Sequence, residues 1–85
     1  MKIFITKPAE KQAQKLPERI RQKAAKQLKL FRKNPQHPSL RVKKKSGSLY
    51  WEARIDYHYR FIFDWDGEEI TILAIGPHDE GLGKK

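Results

Sequence analysis

The sequence contains no cysteine. A disulfide framework and a thiolate zinc site are therefore both excluded, and nothing covalent staples the fold. Long apolar runs are missing too. Apolar residues make up only 38% of the 85 positions, and no stretch approaches the roughly 20 consecutive apolar residues that cross a bilayer. The opening MKIFITKPAEKQ meets charges too early to hold the apolar core of a secretory signal. These absences predict a cytoplasmic protein in a reducing compartment, with no membrane partner. Three histidines stand far apart without ligand spacing, so neither a metal site nor a cofactor is expected.

Acidic residues are scarce in one half only. Residues 1–48 carry 15 Lys/Arg against Glu10 and Glu18, a net charge of +13, whereas residues 49–85 carry four against eight acids, a net of −4. A field this uneven favours a polyanion, with nucleic acid foremost, or an acidic protein partner. The length allows one domain, residues 1–85, with one core. A domain of this size buries only about 60% of its unfolded surface, so stability is expected to be marginal without a partner. Nine aromatics supply large buried areas that help so small a core.

Hydrophobic periodicity predicts the order β-α-α-β-β-β. Lys2–Thr6 reads as a short strand, with Thr6 and Pro8 suited to starting a helix. Ala9, Ala13 and Leu16 mark a first amphipathic helix, interrupted at Pro17. Ile20, Ala24, Leu28 and Phe31 draw an apolar stripe along a second helix that stops at Asn34-Pro35. Residues 35–48 read as a basic connector with at most one short extended piece. Leu49–Ile55, Tyr57–Trp65 and Glu69–Ile75 then form an antiparallel meander, with Asp66-Gly67 as its clearest hairpin signal. The expected fold class is α+β, with both helices packed on one face of the sheet. Alternation separates Trp51, Ala53, Phe61 and Phe63, read as core together with Tyr59, from Glu52, Arg54 and Arg60, read as one concave polar surface. His37 and His58 read as surface residues.

Four segments, HPSLRVKK (His37–Lys44), WEARI (Trp51–Ile55), YRFIF (Tyr59–Phe63) and GPHDE (Gly76–Glu80), occur in the order found in the RelE/ParE superfamily of toxins of type II toxin–antitoxin systems. With the two helices before them, they make nearly the whole chain resemble that superfamily. Within it the pattern is similar to the RelE/YafQ-like mRNA interferases. The resemblance implies a toxin that cleaves mRNA on the ribosome and inhibits translation, held in check by a cognate antitoxin. Arg60 takes the place of the arginine that holds the scissile phosphate, and Arg54 that of the basic residue on the preceding strand. Glu52 stands where RelE has a further lysine. His78 stands in the turn where YafQ-like relatives have histidine, and no tyrosine follows near the end as it does in RelE.

Metal-independent RNA cleavage uses the 2′-hydroxyl as nucleophile and needs two proton carriers plus cations on the phosphate. His78 is the expected acid or base, Arg54 and Arg60 the phosphate clamp, and Glu52 or Asp79 the second proton carrier. Arg41, Lys43, Lys44 and Lys45 are expected to track the RNA backbone, and Tyr50 and Tyr57 to offer faces for unpaired bases. Plainer readings stand beside these: Arg60 as a cross-strand partner of Glu52 or Asp64, and the lysine run as a solvated loop. Two rival functions remain, a ParE-type toxin that inhibits DNA gyrase and a non-catalytic RNA-binding protein.

Overall fold

In the computed structural model, which describes residues 2–45 and 47–77, the chain runs β1 (Lys2–Ile5), α1 (Lys7–Gln14), α2 (Glu18–Lys33), a 3-10 turn (Pro38–Leu40), β2 (Lys43–Lys44), β3 (Trp51–Arg54), β4 (Tyr59–Asp66) and β5 (Glu69–Pro77). Thr6 sets the junction between the first two elements. Its hydroxyl oxygen accepts from the Ala9 N–H at 3.3 Å, capping α1, while the hydroxyl lies 3.1 Å from the Ile72 carbonyl, to which it donates. One side chain thus starts the helix and ties its base to β5.

The five strands form a single sheet in the order β1-β5-β4-β3-β2. Strands β3, β4 and β5 make the expected meander. The first strand, for which the sequence named no partner, lies at the edge: β1 pairs parallel to β5, from Lys2 opposite Glu69 to Ile5 opposite Ile72, so the sheet is mixed. That pairing satisfies the backbone groups that β5 would otherwise present at an open edge. On the far side the basic connector contributes only β2, whose Lys43 and Lys44 lie opposite Glu52 and Trp51.

Both helices pack on one face, as expected. Ala9, Leu16, Ile20, Ala24 and Phe31 meet Ala53, Phe61, Phe63, Ile70, Ile72 and Ile75 in one buried cluster. Phe31 is its centre. It is fully buried, with edge-to-face contacts to Phe61 at 5.2 Å and Phe63 at 4.9 Å between ring centroids. Leu40 plugs the connector into the same core. The Gln12 side chain closes the helix–sheet seam by accepting from the Ile75 N–H at 2.8 Å. Among the described residues no helix is long and apolar enough to cross a membrane.

Two irregularities shape the opposite face, away from the helices. The β4–β5 hairpin turns through Gly67 and Glu68, with Gly67 at φ +62, a value suited to glycine at the first loop position of a type II′ turn. Further along, Ile62 faces Ala74 but Phe63 faces Ile72, so Leu73 is an extra residue, a bulge in β5. Bulges sharpen the local twist, and this one lies between the hairpin and the strand ends that carry Arg54, Arg60 and Gly76.

Candidate functional site

Register brings three of the expected side chains together. Arg54 on β3 is the direct cross-strand partner of Arg60 on β4, and Glu52 lies two residues from Arg54 on the same face. Facing like charges are unfavourable in a sheet, so two arginines at one register position need a reason. Part of it is local. Glu52 Oε1 lies 3.4 Å from Arg60 Nε, and its other oxygen lies 3.7 Å from Lys43 Nζ. The Glu52 and Arg60 side chains are only 10% and 20% exposed, so this pair is poorly screened by water. Lys43 is 67% exposed and adds little stability.

Arg54 is drawn the other way. Its Nε donates to the Asp56 carbonyl at 3.4 Å, and its guanidinium carbon lies 5.6 Å from the Tyr57 ring centroid. Asp56 organises that turn, its carboxylate accepting from the His58 and Tyr59 N–H groups at 2.9 and 3.2 Å. Behind the turn, Gln27 of α2 donates to the Arg54 carbonyl at 2.9 Å, fixing the end of β3 from the helix side. Sequence reasoning missed Gln27. The available signal was a polar residue one helical turn from Ala24 and Phe31, at a position where the stripe should bury an apolar one.

The basic run divides between the two faces. Lys43 joins Glu52 on the side away from the helices, whereas Lys44 stands beside Trp51 on the other, its ammonium 5.8 Å from the indole centroid. Lys45 is half-buried, and its N–H donates to the Tyr50 carbonyl at 2.8 Å. Arg41 lies apart from the cluster in the left-handed region at φ +48. The single cationic track expected from Arg41 to Lys45 is therefore split by strand alternation. Tyr50 and Tyr57 are both exposed. His37 is half-buried and bonded to Ser39, while His58 is exposed beside Tyr57. His78 and Asp79 lie outside the described residues, the last of which, Pro77, faces Tyr59. Among the described residues no three histidine, aspartate or glutamate side chains gather as metal ligands.

A mixed five-stranded sheet with two helices on one face defines an α+β fold that solved structures share. The chain superposes on a YoeB/ParE toxin from Agrobacterium tumefaciens with TM-score 0.72 and 19% identity, covering 92% of this chain and 99% of that one. It is similar to the archaeal RelE of a RelE–RelB complex from Pyrococcus horikoshii, with TM-score 0.73, 23% identity and coverage of 94% and 97%. YafQ from E. coli matches with TM-score 0.72 and 15% identity over 89% of this chain and 91% of its own. No curated protein matches the sequence. The ParE-like toxin domain matches residues 18–80. The chain belongs to that family, within the RelE/ParE toxin superfamily.

Proposed function

We propose that the protein is the toxin of a type II toxin–antitoxin pair, and that it cleaves mRNA without a metal at the face of its sheet away from the helices. The observation that carries this reading is the direct opposition of Arg54 and Arg60 across β3 and β4. Two guanidinium groups at one register position, only one of them paired with the Glu52 carboxylate, favour an anion beside them, and a phosphodiester is an anion whose geometry they match. Glu52 keeps Arg60 in place before substrate arrives and is a positioning residue. Lys43, beside Glu52, extends the positive surface along the strand edge.

In the reaction the ribose 2′-hydroxyl attacks the adjacent phosphorus while a base removes its proton. The bond to the 5′-oxygen breaks, and an acid protonates that oxygen as it leaves. The products are a 2′,3′-cyclic phosphate and a 5′-hydroxyl end. Arg54 and Arg60 stabilise the charge that builds on the non-bridging oxygens. His78 takes one proton transfer and Asp79 the other, each typically worth ~10²–10⁴ in rate. The backbone supports this assignment: Gly76 faces Arg60, Pro77 faces Tyr59, and His78 is the next residue along the chain.

The partners in this reading are the ribosome with its mRNA, and a cognate antitoxin. Several of the similar structures are complexes, among them RelE–RelB, DinJ–YafQ and YoeB–YefM. An acidic segment that folds on binding suits a basic domain of marginal stability. One alternative has its own support. The matching family is ParE-like, and Glu52 places an acid inside the arginine cluster, which favours a gyrase-directed toxin.

Purified protein added to translating ribosomes, with mRNA ends mapped, separates the two. New 5′-hydroxyl ends that disappear in folded His78→Ala and Arg60→Ala variants support cleavage. Intact mRNA alongside inhibited DNA supercoiling overturns it in favour of the alternative.

A further inference from the structure

The reverse side of the sheet carries a second site that the cleavage reading does not use. A hollow of about 280 Å³ opens between the segment after α2 and the exposed ends of β3 and β4, lined by His37, Pro38, Arg41, Trp51 and Trp65 among others. Among the described residues no acidic side chain lines it. Its walls are aromatic. Trp51 and Trp65 meet edge to face with ring centroids 5.5 Å apart, and each is half-buried at the margin of the core.

Its rim is polar and donates. The Ser39 N–H donates to His37 Nδ1 at 3.2 Å, so that nitrogen keeps its lone pair and the ring hydrogen sits on Nε2. The imidazole is thereby held as a donor with a fixed ring. Arg41 follows Leu40, whose side chain is wholly buried, and its own N–H donates to the Pro38 carbonyl at 3.1 Å in the turn. This turn holds Arg41 at φ +48 and leaves its side chain exposed at the mouth of the hollow. A strained backbone of this kind persists only where its surroundings over-determine it, and such positions cluster at ligand clamps.

Two indoles, one of them with the Lys44 ammonium 5.8 Å from its centroid, one N–H donor and the Arg41 cation together suit an unpaired nucleobase with its phosphate. The volume lies just under the ~300–1,000 Å³ of sites for larger organic ligands, so it suits one base. A carboxylate peptide would use the cation but leave the indole faces idle. The hollow is also connected to the arginine pair by charge. Trp51 and Glu52 are adjacent on β3 and point to opposite faces, and β2 sends Lys43 to one face and Lys44 to the other. A strand of RNA rounding the β2 edge meets Lys44 on this side and Lys43 on the other.

We infer that this hollow takes one unpaired base of the bound RNA, with its phosphate on Arg41, anchoring the strand away from the scissile bond and setting a base preference there. The inference rests on the RNA reading above, but its test does not require cleavage. The chain has two tryptophans, so indole N–H resonances report the hollow directly. The four nucleoside 5′-monophosphates, inorganic phosphate and an oligo-glutamate peptide are titrated separately, followed by a short 2′-deoxy-substituted RNA that cannot be cut.

Saturable shifts at Trp51 and His37 are expected with nucleotides and with the RNA, and not with phosphate alone. Arg41→Gly, which suits a positive φ and so preserves the turn, should weaken binding about tenfold. Arg60→Ala should leave the monophosphate shifts intact, and this holds even if mRNA cleavage is never observed. Nucleotide shifts confined to the Arg54–Arg60 face overturn the proposal. So does occupancy of the hollow by the peptide in preference to nucleotides, or a cleavage-site preference identical in Arg41→Gly and the parent protein.

Discussion

Replacing Glu52 with glutamine or alanine separates the carboxylate's structural grip on Arg60 from any role in chemistry. Glu52 is 7% exposed, and its carboxylate lies 3.4 Å from Arg60 Nε. A hydrogen bond to a charged group contributes about 1.5–3 kcal/mol, against about 1 kcal/mol for a neutral one. Glu52→Gln keeps an acceptor oxygen and loses the charge, so it should cost about 1 kcal/mol. In a domain of this length that lowers Tm by about 4–8 °C. Glu52→Ala removes the acceptor as well and leaves Arg60 facing a cavity. Breaking a buried pair costs about 3–5 kcal/mol, and the partial exposure of Arg60 puts the expectation near the lower end. The 3.7 Å contact with exposed Lys43 adds at most a few tenths of a kcal/mol and vanishes in high salt.

Thermal and urea unfolding followed by circular dichroism give both numbers. The same variants carry a functional expectation of opposite sign. With its carboxylate gone, Glu52 no longer competes with phosphate for the Arg60 Nε, so Glu52→Gln should bind uncleavable RNA more tightly while unfolding more easily. Equal stability for parent and alanine variant would refute the pair as described. Abolished cleavage in a glutamine variant that binds RNA tightly would make Glu52 a proton carrier.

Three further outcomes follow from the same geometry. Arg54→Ala and Arg60→Ala should each flatten the slope of log K against log salt by about 0.7 for single-stranded RNA, read by fluorescence anisotropy; unchanged slopes would remove them from the phosphate contact. Phe31→Ala deletes the ring wedged between Phe61 and Phe63 and should cost about 3–5 kcal/mol, leaving little cooperative unfolding in near-ultraviolet circular dichroism. Gln12→Ala leaves the Ile75 N–H without its 2.8 Å acceptor. Hydrogen exchange at that amide should accelerate, and stability should fall by about 1–2 kcal/mol.

Local pattern and long-range pairing were not equally legible in the sequence. The α2 stripe of Ile20, Ala24 and Phe31 could be read because a helix face repeats within a few residues, and the same residues are buried. Alternation along β3 and β4 likewise separated Ala53 and Phe61 from Arg54 and Arg60, and the Asp66-Gly67 signal found the hairpin. The parallel pairing of β1 was not legible, because Lys2 and Glu69 are partners across nearly the whole chain and nothing local to either announces it. Gln27 was hidden for a similar reason: its acceptor, the Arg54 carbonyl, belongs to a distant strand.

For the candidate site, alternation put Glu52, Arg54 and Arg60 on one face, and of the two carboxylates weighed as partners of Arg60 it is Glu52 that lies 3.4 Å from its Nε. The lysine run misled because its spacing suggested one continuous track, while a two-residue strand turns Lys43 and Lys44 to opposite faces. The left-handed backbone of Arg41 carried no warning, since arginine is not a residue that favours it.

The central claim is that one phosphodiester sits between the facing arginines of β3 and β4. A crystal structure with an RNA whose 2′-hydroxyl at the scissile position is replaced by hydrogen tests it directly. The account predicts that phosphate on the face away from the helices, hydrogen-bonded to Arg54 and Arg60, with the His78 ring within reach of the 2′-position or the 5′-oxygen. RNA bound wholly on the helix side, or a phosphate distant from both guanidinium groups, would contradict it.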